Sequence, residues 1–224
     1  MTSTNSTIDA RPRLAIYGGA FDPPTLAHAA VASRLVRAGF ARVLVMPCFG
    51  HTFGKTLAPA SDRLTLAVET FSHLPEVRVS SFEIDLGLNG STYEMVNKLS
   101  LLPECATHRV FMAIGSDEAN AFHRWRRSEE LMRLIPFVVV MRAGHPLDEN
   151  GRWALTAPHL VLPLNQSSRE VSSTVIRAQI ASGHLAQARR HLSSRVFAYI
   201  KARRLYARPT ALSFVPPPLH PALS

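Results

Sequence analysis

Eleven consecutive residues near the N-terminus, Gly18-Gly19-Ala20-Phe21-Asp22-Pro23-Pro24-Thr25-Leu26-Ala27-His28, combine the types that phosphate chemistry needs. Gly18 and Gly19 carry no Cβ, so backbone N–H groups there can come close to an anion. Pro23 and Pro24 suit a tight entry to a helix, whose first N–H groups and dipole favour negative charge. Thr25 and His28 lie three apart on the first helical turn, a spacing that puts both side chains on one side, ready to donate to one phosphate group. A second string, Val171-Ser172-Ser173-Thr174-Val175-Ile176-Arg177, crowds three hydroxyls onto a helix start and sets a guanidinium one turn on. Its chemistry is again hydrogen bonding and charge neutralisation at phosphate oxygens. No catalytic triad or activated cysteine is visible, and positioning with charge stabilisation needs neither.

These strings need elements to hold them. Leu14–Tyr17 reads as a buried strand running directly into the glycine loop, and 25–38 as the helix that follows. Val43–Met46, Val77–Val79, Val110–Ile114, Phe137–Met141 and Leu160–Leu162 read as further strands; the Val110 and Phe137 runs are apolar throughout, as in parallel strands buried on both faces. Helices are expected near Ser61–Ser72 with Ser61 as N-cap, over Ser91–Leu101, Ser128–Leu134, Ser172–Ser182, His184–Leu192 and Ser193–Arg203. Strand–helix alternation without internal repeats predicts an α/β fold with an open parallel sheet. In such a sheet, ligands bind beyond the carboxyl ends of the strands, where the strand order reverses.

Composition narrows the classes of function. The chain has 224 residues, 46% hydrophobic, enough for one well-filled core. Its apolar runs are too short to cross a bilayer, and the first residues lack the apolar stretch of a secretory signal. Residues 1–12 read as a disordered leader, 13–206 as one domain, and the proline-rich 207–224 as a disordered tail. Cys48 and Cys105 match no metal or redox spacing, which suits a reducing, cytoplasmic setting, and no histidine pair has a zinc-ligand spacing. The formal charge is +9, and no acidic residue follows Glu170. Such a field attracts anionic partners, nucleotides above all; nucleic acid is disfavoured because no groove-reading motif or aromatic platform accompanies it.

The first string resembles the signature of the nucleotidyltransferase superfamily, written GxFxPxHxGH, or with Thr for the first His in a sister branch. Thr25 takes the first position and His28 the second, while Ala27 stands where glycine is usual, its methyl narrowing the approach of a triphosphate. The second string resembles the family's SSTxIR element. His51-Thr52-Phe53-Gly54-Lys55 and Ser61-Asp62-Arg63 are similar to segments of bacterial pyridine-nucleotide adenylyltransferases, which makes Lys55 and Arg63 candidate phosphate binders, Arg63 on the mononucleotide side. Ser91-Thr92-Tyr93 resembles the TYT segment beside the mononucleotide, and Gly115-Ser116-Asp117 the GxD that reaches a nucleotide ribose. Trp125 stands where the family has the aromatic side chain that stacks on the pyridine ring.

The resemblance runs from about Arg13 to Tyr206 and implies a single Rossmann-like domain with helices on both faces of the sheet. It implies in-line attack of the phosphate of nicotinate or nicotinamide mononucleotide on the α-phosphorus of ATP, in NAD biosynthesis. His28, Thr25, Lys55 and Arg177 are then the catalytic set. Gly18, Gly19, Ala20, Phe21, Gly115, Asp117, Ser172, Ser173 and Thr174 join His28 and Arg177 on ATP, and Thr92, Tyr93, Trp125 and Arg63 bind the mononucleotide. Mg²⁺ is expected with the triphosphate, held by substrate and water without a protein carboxylate cage. A homo-oligomer is compatible with the sequence. Phosphopantetheine or cytidylyl chemistry, a nucleotide sensor on the same fold and a basic nucleic-acid-binding module are the competing readings. The Gly115, Thr92 and Trp125 segments favour the pyridine branch.

Overall fold

Runs of β-branched and apolar residues form the centre of the computed structural model, which describes residues 9–50, 56–163 and 171–207. The strands are β1 (Arg13–Gly19), β2 (Arg42–Pro47), β3 (Val77–Val79), β4 (Arg109–Gly115), β5 (Phe137–Val140) and β6 (Leu160–Leu162). All pair in parallel, in the order β3-β2-β1-β4-β5-β6. The chain starts in the middle of this sheet, winds to one edge, then returns beside β1 and winds to the other. The order therefore reverses between β1 and β4, and their carboxyl ends, Gly18-Gly19 and Gly115, lie side by side.

The helices are α1 (Leu26–Arg37), α2 (Ala60–Phe71), α3 (Phe82–Asp85), α4 (Thr92–Lys98), α5 (Pro103–Thr107), α6 (Ser116–Asn120), α7 (Ser128–Leu134), α8 (Ser173–Ala181), α9 (Leu185–Arg189) and α10 (Ser194–Ala202). They cover both faces of the sheet. Strand residues alternate between the faces, as a period of two requires. Leu14, Ile16, Met46, Met112, Ile114, Phe137 and Val139 meet Met95 of α4, Ala119 of α6 and Leu131 of α7. Ala15, Val43, Val45, Phe111, Ala113, Val138 and Val140 meet Ala29, Ala32 and Leu35 of α1 and Ala67 and Phe71 of α2. A third cluster joins Leu66 of α2 to Ile176, Ile180, Ala188, Leu192, Val196 and Ile200 of the C-terminal helices. That cluster fastens the chain's end to the same helix that flanks β2.

Every strand expected from the sequence is present, and the helix bounds differ mostly by a residue or two. Helix α2 starts at Ala60 behind Pro59 with no side-chain cap, so Ser61 lies inside the first turn and does not cap it. The segment read as one helix over Ser91–Leu101 is α4 followed by a 3-10 turn at Leu99–Leu101. Helix α9 is shorter than the expected His184–Leu192. Three short helices, α3, α5 and α6, and a 3-10 stretch at Glu149–Leu155 were not legible, because pieces of a turn or so carry no periodicity. Pro12 accepts a backbone hydrogen bond from Arg109 at 2.9 Å, so the body begins just before β1. Most of the expected leader (residues 1–8) and of the tail (208–224) lies outside the described residues. No helix among the described residues is long and apolar enough to cross a membrane.

Candidate active site

A cleft of about 630 Å³ opens at the carboxyl ends of β1 and β4, the position that the strand order favours. Gly18, Gly19, Ala113, Ile114 and Gly115 are among its lining residues. A Cβ on Gly18 would sit 3.1 Å from Met112 Cε, so a side chain there would crowd the core and the cleft together.

Ala20, Phe21, Thr25, Ala27 and His28 line the cleft beside β1. Phe21 holds a φ of 48°, a left-handed backbone that is costly for a bulky residue and persists only where packing over-determines it. Its ring supplies that packing. It lies 5.5 Å from Tyr17, 5.9 Å from Phe71 and 5.3 Å from His28, each edge-on and centroid to centroid.

Thr25 and His28 form a capping box, and this changes the expectation that both donate outward. Thr25 is 2% exposed and its Oγ1 accepts from the His28 N–H, while the Thr25 N–H donates to His28 Nδ1 at 3.0 Å. A backbone N–H can only donate, so Nδ1 is unprotonated and the neutral ring carries its proton on Nε2. Desolvation, and then the nearby Arg142 charge, push the His28 pKa down to about 4. The imidazole is thus a neutral donor with a fixed tautomer, aligned by Thr25 at the N-terminus of α1.

At the C-terminal string, Ser172 caps α8 by accepting from the Val175 N–H, and Ser173 Oγ donates to the Pro23 carbonyl at 2.8 Å. Both serines line the cleft, whereas Thr174 and Arg177 do not reach its wall. Arg177 Nη1 donates to the Asp22 carbonyl at 2.7 Å and Nη2 to Thr174 Oγ1 at 3.3 Å. Arg63 is likewise placed away from the expected ligand contact. It is 1% exposed, and its guanidinium donates to the carbonyls of Ala58, Ala20 and Phe49 at 2.9, 2.9 and 3.0 Å. Both arginines therefore hold the glycine loop from behind. Lys55 and the segment 51–55 lie outside the described residues.

Across the strand reversal, Gly115 leads into α6 and Asp117 stands on its first turn. Asp117 Oδ2 accepts from Arg142 Nη1 at 2.6 Å, and its buried Oδ1 has no hydrogen-bond partner among the described residues. Ser116, fully buried, fixes this corner by donating to the His145 carbonyl at 2.6 Å and accepting from the Arg142 N–H at 3.0 Å.

Thr92, Tyr93 and Trp125 line the other part of the cleft, together with Arg124 and Arg126. Trp125 leans on Phe122, ring centroids 5.3 Å apart, and Arg126 pairs with Glu94 at 3.2 Å. Arg127 turns elsewhere, its guanidinium 4.0 Å above the Tyr93 ring and bonded to Glu130.

Two groups in the wall, Arg142 and Glu83, went unread in the sequence. Arg142 follows β5 with no local pattern to mark it. Glu83 is 5% exposed with Oε2 unpaired among the described residues; burial pushes its carboxyl up to about 7, against the lowering pull of Arg63. Ser91, which opens the segment read beside the mononucleotide, has its buried Oγ without a partner among the described residues. No cluster of three or more metal-ligating side chains occurs among the described residues.

The arrangement is a donor-rich loop and helix start facing a carboxylate–guanidinium pair, with aromatic side chains in the same cleft. Its donors and positive charge suit a phosphate-bearing ligand. Comparison with known proteins agrees. The model of the cytidylyltransferase-like family matches residues 16–179. The chain is 34% identical over 200 residues to a probable nicotinate-nucleotide adenylyltransferase of Anaeromyxobacter dehalogenans, covering 86% of this chain and 96% of that one. A protein of the same description from Lactiplantibacillus plantarum is 31% identical over 212 residues, covering 92% and 93%. Among solved structures, the nicotinic acid mononucleotide adenylyltransferase of Plasmodium falciparum complexed with NaAD shares the fold, with a TM-score of 0.74 at 18% identity over 87% of this chain and 97% of that one. Signature, topology and relatives coincide, and the chain belongs to the nicotinate-nucleotide adenylyltransferase family of cytidylyltransferase-like nucleotidyltransferases.

Proposed function

We propose that this cleft joins ATP to nicotinate mononucleotide. A phosphate oxygen of the mononucleotide attacks the α-phosphorus of ATP, the bond to the bridging oxygen breaks, and deamido-NAD and pyrophosphate leave. The attacking phosphate is already an anion at neutral pH, its second pKa being about 6, so no general base is needed. The observation that carries the reading is the placement of the loop 18–28 directly across the strand reversal from Gly115 and Asp117, inside one cleft that also contains Tyr93 and Trp125.

In this reading the ATP phosphates lie on the backbone of Gly18, Gly19, Ala20 and Phe21 and at the N-terminus of α1. His28 donates from Nε2 to the phosphate that gains charge in the transition state, and Thr25 sets the ring's tautomer. Ser172 and Ser173 add hydroxyls, and Lys55 adds charge on the β- and γ-phosphates. Arg177 and Thr174 serve ATP by holding the loop. The Asp117 carboxylate, in the cleft wall, accepts from a ribose hydroxyl. Thr92 and Tyr93 receive the mononucleotide, Trp125 stacks on its ring, and Arg63 supports this side through the Phe49 carbonyl. Mg²⁺ enters as part of the Mg·ATP substrate, held by phosphate oxygens and water. A cytoplasmic setting belongs to the same reading, supported by two free cysteines of no redox spacing.

Nicotinate is favoured over nicotinamide by the donors at its end of the cleft. The N-terminus of α4 and the Arg124 and Arg126 guanidinium groups suit a carboxylate, and a site built for a charged group leaves donors unpaired when the amide binds. The test is pyrophosphate release from ATP with nicotinate mononucleotide, nicotinamide mononucleotide and phosphopantetheine as acceptors. The expected kcat/KM for nicotinate mononucleotide exceeds that for the amide by about tenfold or more. A ratio at or below one removes the preference. Release with phosphopantetheine only, or with none of the three, removes the reading.

A further inference from the structure

The phosphate loop is tied down from the far end of the chain. Asp22, in the middle of that loop, is 2% exposed, and a carboxylate so placed needs donors. Its Oδ1 accepts from the Tyr206 hydroxyl at 2.8 Å and from the Ala58 N–H at 3.3 Å. Its Oδ2 has no hydrogen bond among the described residues, with Arg177 Nη1 3.7 Å away. Among the described residues, the phenol is thus the nearest donor to this carboxylate.

Tyr206 reaches it through a turn that local preference opposes. Arg204 and Tyr206 have φ values of 52° and 63°, left-handed backbone that bulky residues rarely adopt unless the surroundings impose it. The turn comes directly after α10, and Leu205 and Tyr206 pack against the apolar cluster shared by α2, α8 and α10. Burial and the Asp22 charge push the phenol well above its ordinary pKa, so it stays a donor.

The other side chains that tie the loop reach backbone carbonyls: Arg63 on Ala20, Arg177 on Asp22, Ser173 on Pro23. Tyr206 reaches a charged side chain. Without its hydroxyl, Asp22 keeps, among the described residues, one long amide bond and a distant guanidinium. A buried carboxylate so reduced is drawn toward water, and the loop goes with it.

We propose that Tyr206 is a positioning residue for adenylyl transfer, acting through Asp22 to hold the loop 20–25 in the geometry that receives the phosphates of ATP. The inference rests on the reading of that loop as the ATP phosphate site. It gives the turn that follows α10 a role in a site formed 184 positions earlier.

Tyr206→Phe keeps the ring and removes one donor. Equilibrium dialysis of the full-length protein with Mg·ATP should show affinity weakened by about tenfold or more, the usual range for a lost hydrogen bond to a buried charge. The KM for the mononucleotide should stay at the wild-type value. Asp22→Ala, which removes the acceptor, should show the same selective loss, and adding Tyr206→Phe to it should weaken ATP binding no further. Unchanged ATP affinity in either single variant overturns the proposal, as does full additivity in the double variant. So does a lower Tm with a reduced active fraction and both substrate constants unaltered, the pattern of a merely structural tyrosine. Dialysis requires no turnover, so a protein that binds ATP yet adenylylates no pyridine mononucleotide would sink the proposed reaction and leave this inference standing.

Discussion

At the residue scale, the proposed adenylyl transfer rests on a histidine whose tautomer is set by its own helix cap. Removing one preorganised transition-state donor costs about two to three orders of magnitude in kcat, and His28→Ala is expected to show that loss. Folding should change little, because the cap is one of many contacts holding α1. Wild-type kcat in the variant would take His28 out of the mechanism. The lowered pKa makes a second expectation for the same ring. His28 stays neutral in the folded protein down to about pH 4, whereas the unfolded chain takes up the proton near 6.5. The stability linked to it is therefore fully present above the unfolded value and lost as pH falls through the folded one. By NMR, the His28 ring signals should stay flat over pH values from about 5 to 8, a range in which an ordinary histidine titrates. Any acid limb in the rate near pH 6 then belongs to the phosphate of the mononucleotide. A His28 titration centred near neutrality would contradict the donor assignment.

At the element scale, the junction of β4 with α6 is as demanding as the glycine loop. Gly115 pairs in register with Val140 of β5, and the two strands deliver Asp117 and Arg142 to one spot. A Cβ on Gly115 would collide with the Asp117 carboxylate and come within 2.9 Å of Arg142 Cδ. Relief requires these two partly exposed side chains, and the ion pair between them, to shift. Gly115→Ala should lower kcat/KM for ATP by about a hundredfold, the scale for a misplacement of roughly an ångström. The stability cost should be about 1–3 kcal/mol from overpacking, read as a fall in Tm. An alanine variant with wild-type kinetics would show that the pair does not need this close approach.

At the scale of the whole molecule, the sheet and its three apolar clusters account for the body, and the terminal segments carry neither a motif nor an amphipathic period. Deleting residues 1–8 together with 208–224 is expected to leave kcat, KM and Tm at wild-type values. Loss of activity or of assembly on removing 208–224 alone would mean that the tail docks on a neighbouring subunit. The cut must spare Tyr206. The same scale explains the charge. Two of the cations that follow Glu170 pair with acids of α2, Arg195 with Glu69 at 3.5 Å and Arg203 with Asp62 at 3.2 Å. The remaining positive field favours anionic substrates in a salt-dependent way.

The sequence by itself determined the strands, the loop string at the end of β1, the serine string before Arg177 and the segments around Tyr93, Asp117 and Trp125. These signals are local. Apolar period, glycine placement and capping chemistry depend on neighbours a few positions away, so they can be read along the chain. The family resemblance rested on the same local strings. Which strand lies beside which is decided by packing, and only the tertiary structure set β4 beside β1, bringing Gly115 to Gly18. The partners of buried charges were equally out of reach. Arginine is mostly an exposed residue, and nothing near Arg63 or Arg177 says that one is fully buried and that both hold carbonyls of the glycine loop. Arg142, Glu83 and the Tyr206 hydroxyl entered the site for the same physical reason. A charge or phenol inside a protein must find its partner wherever the fold brings one, and for Asp22 that partner stands at the far end of the chain.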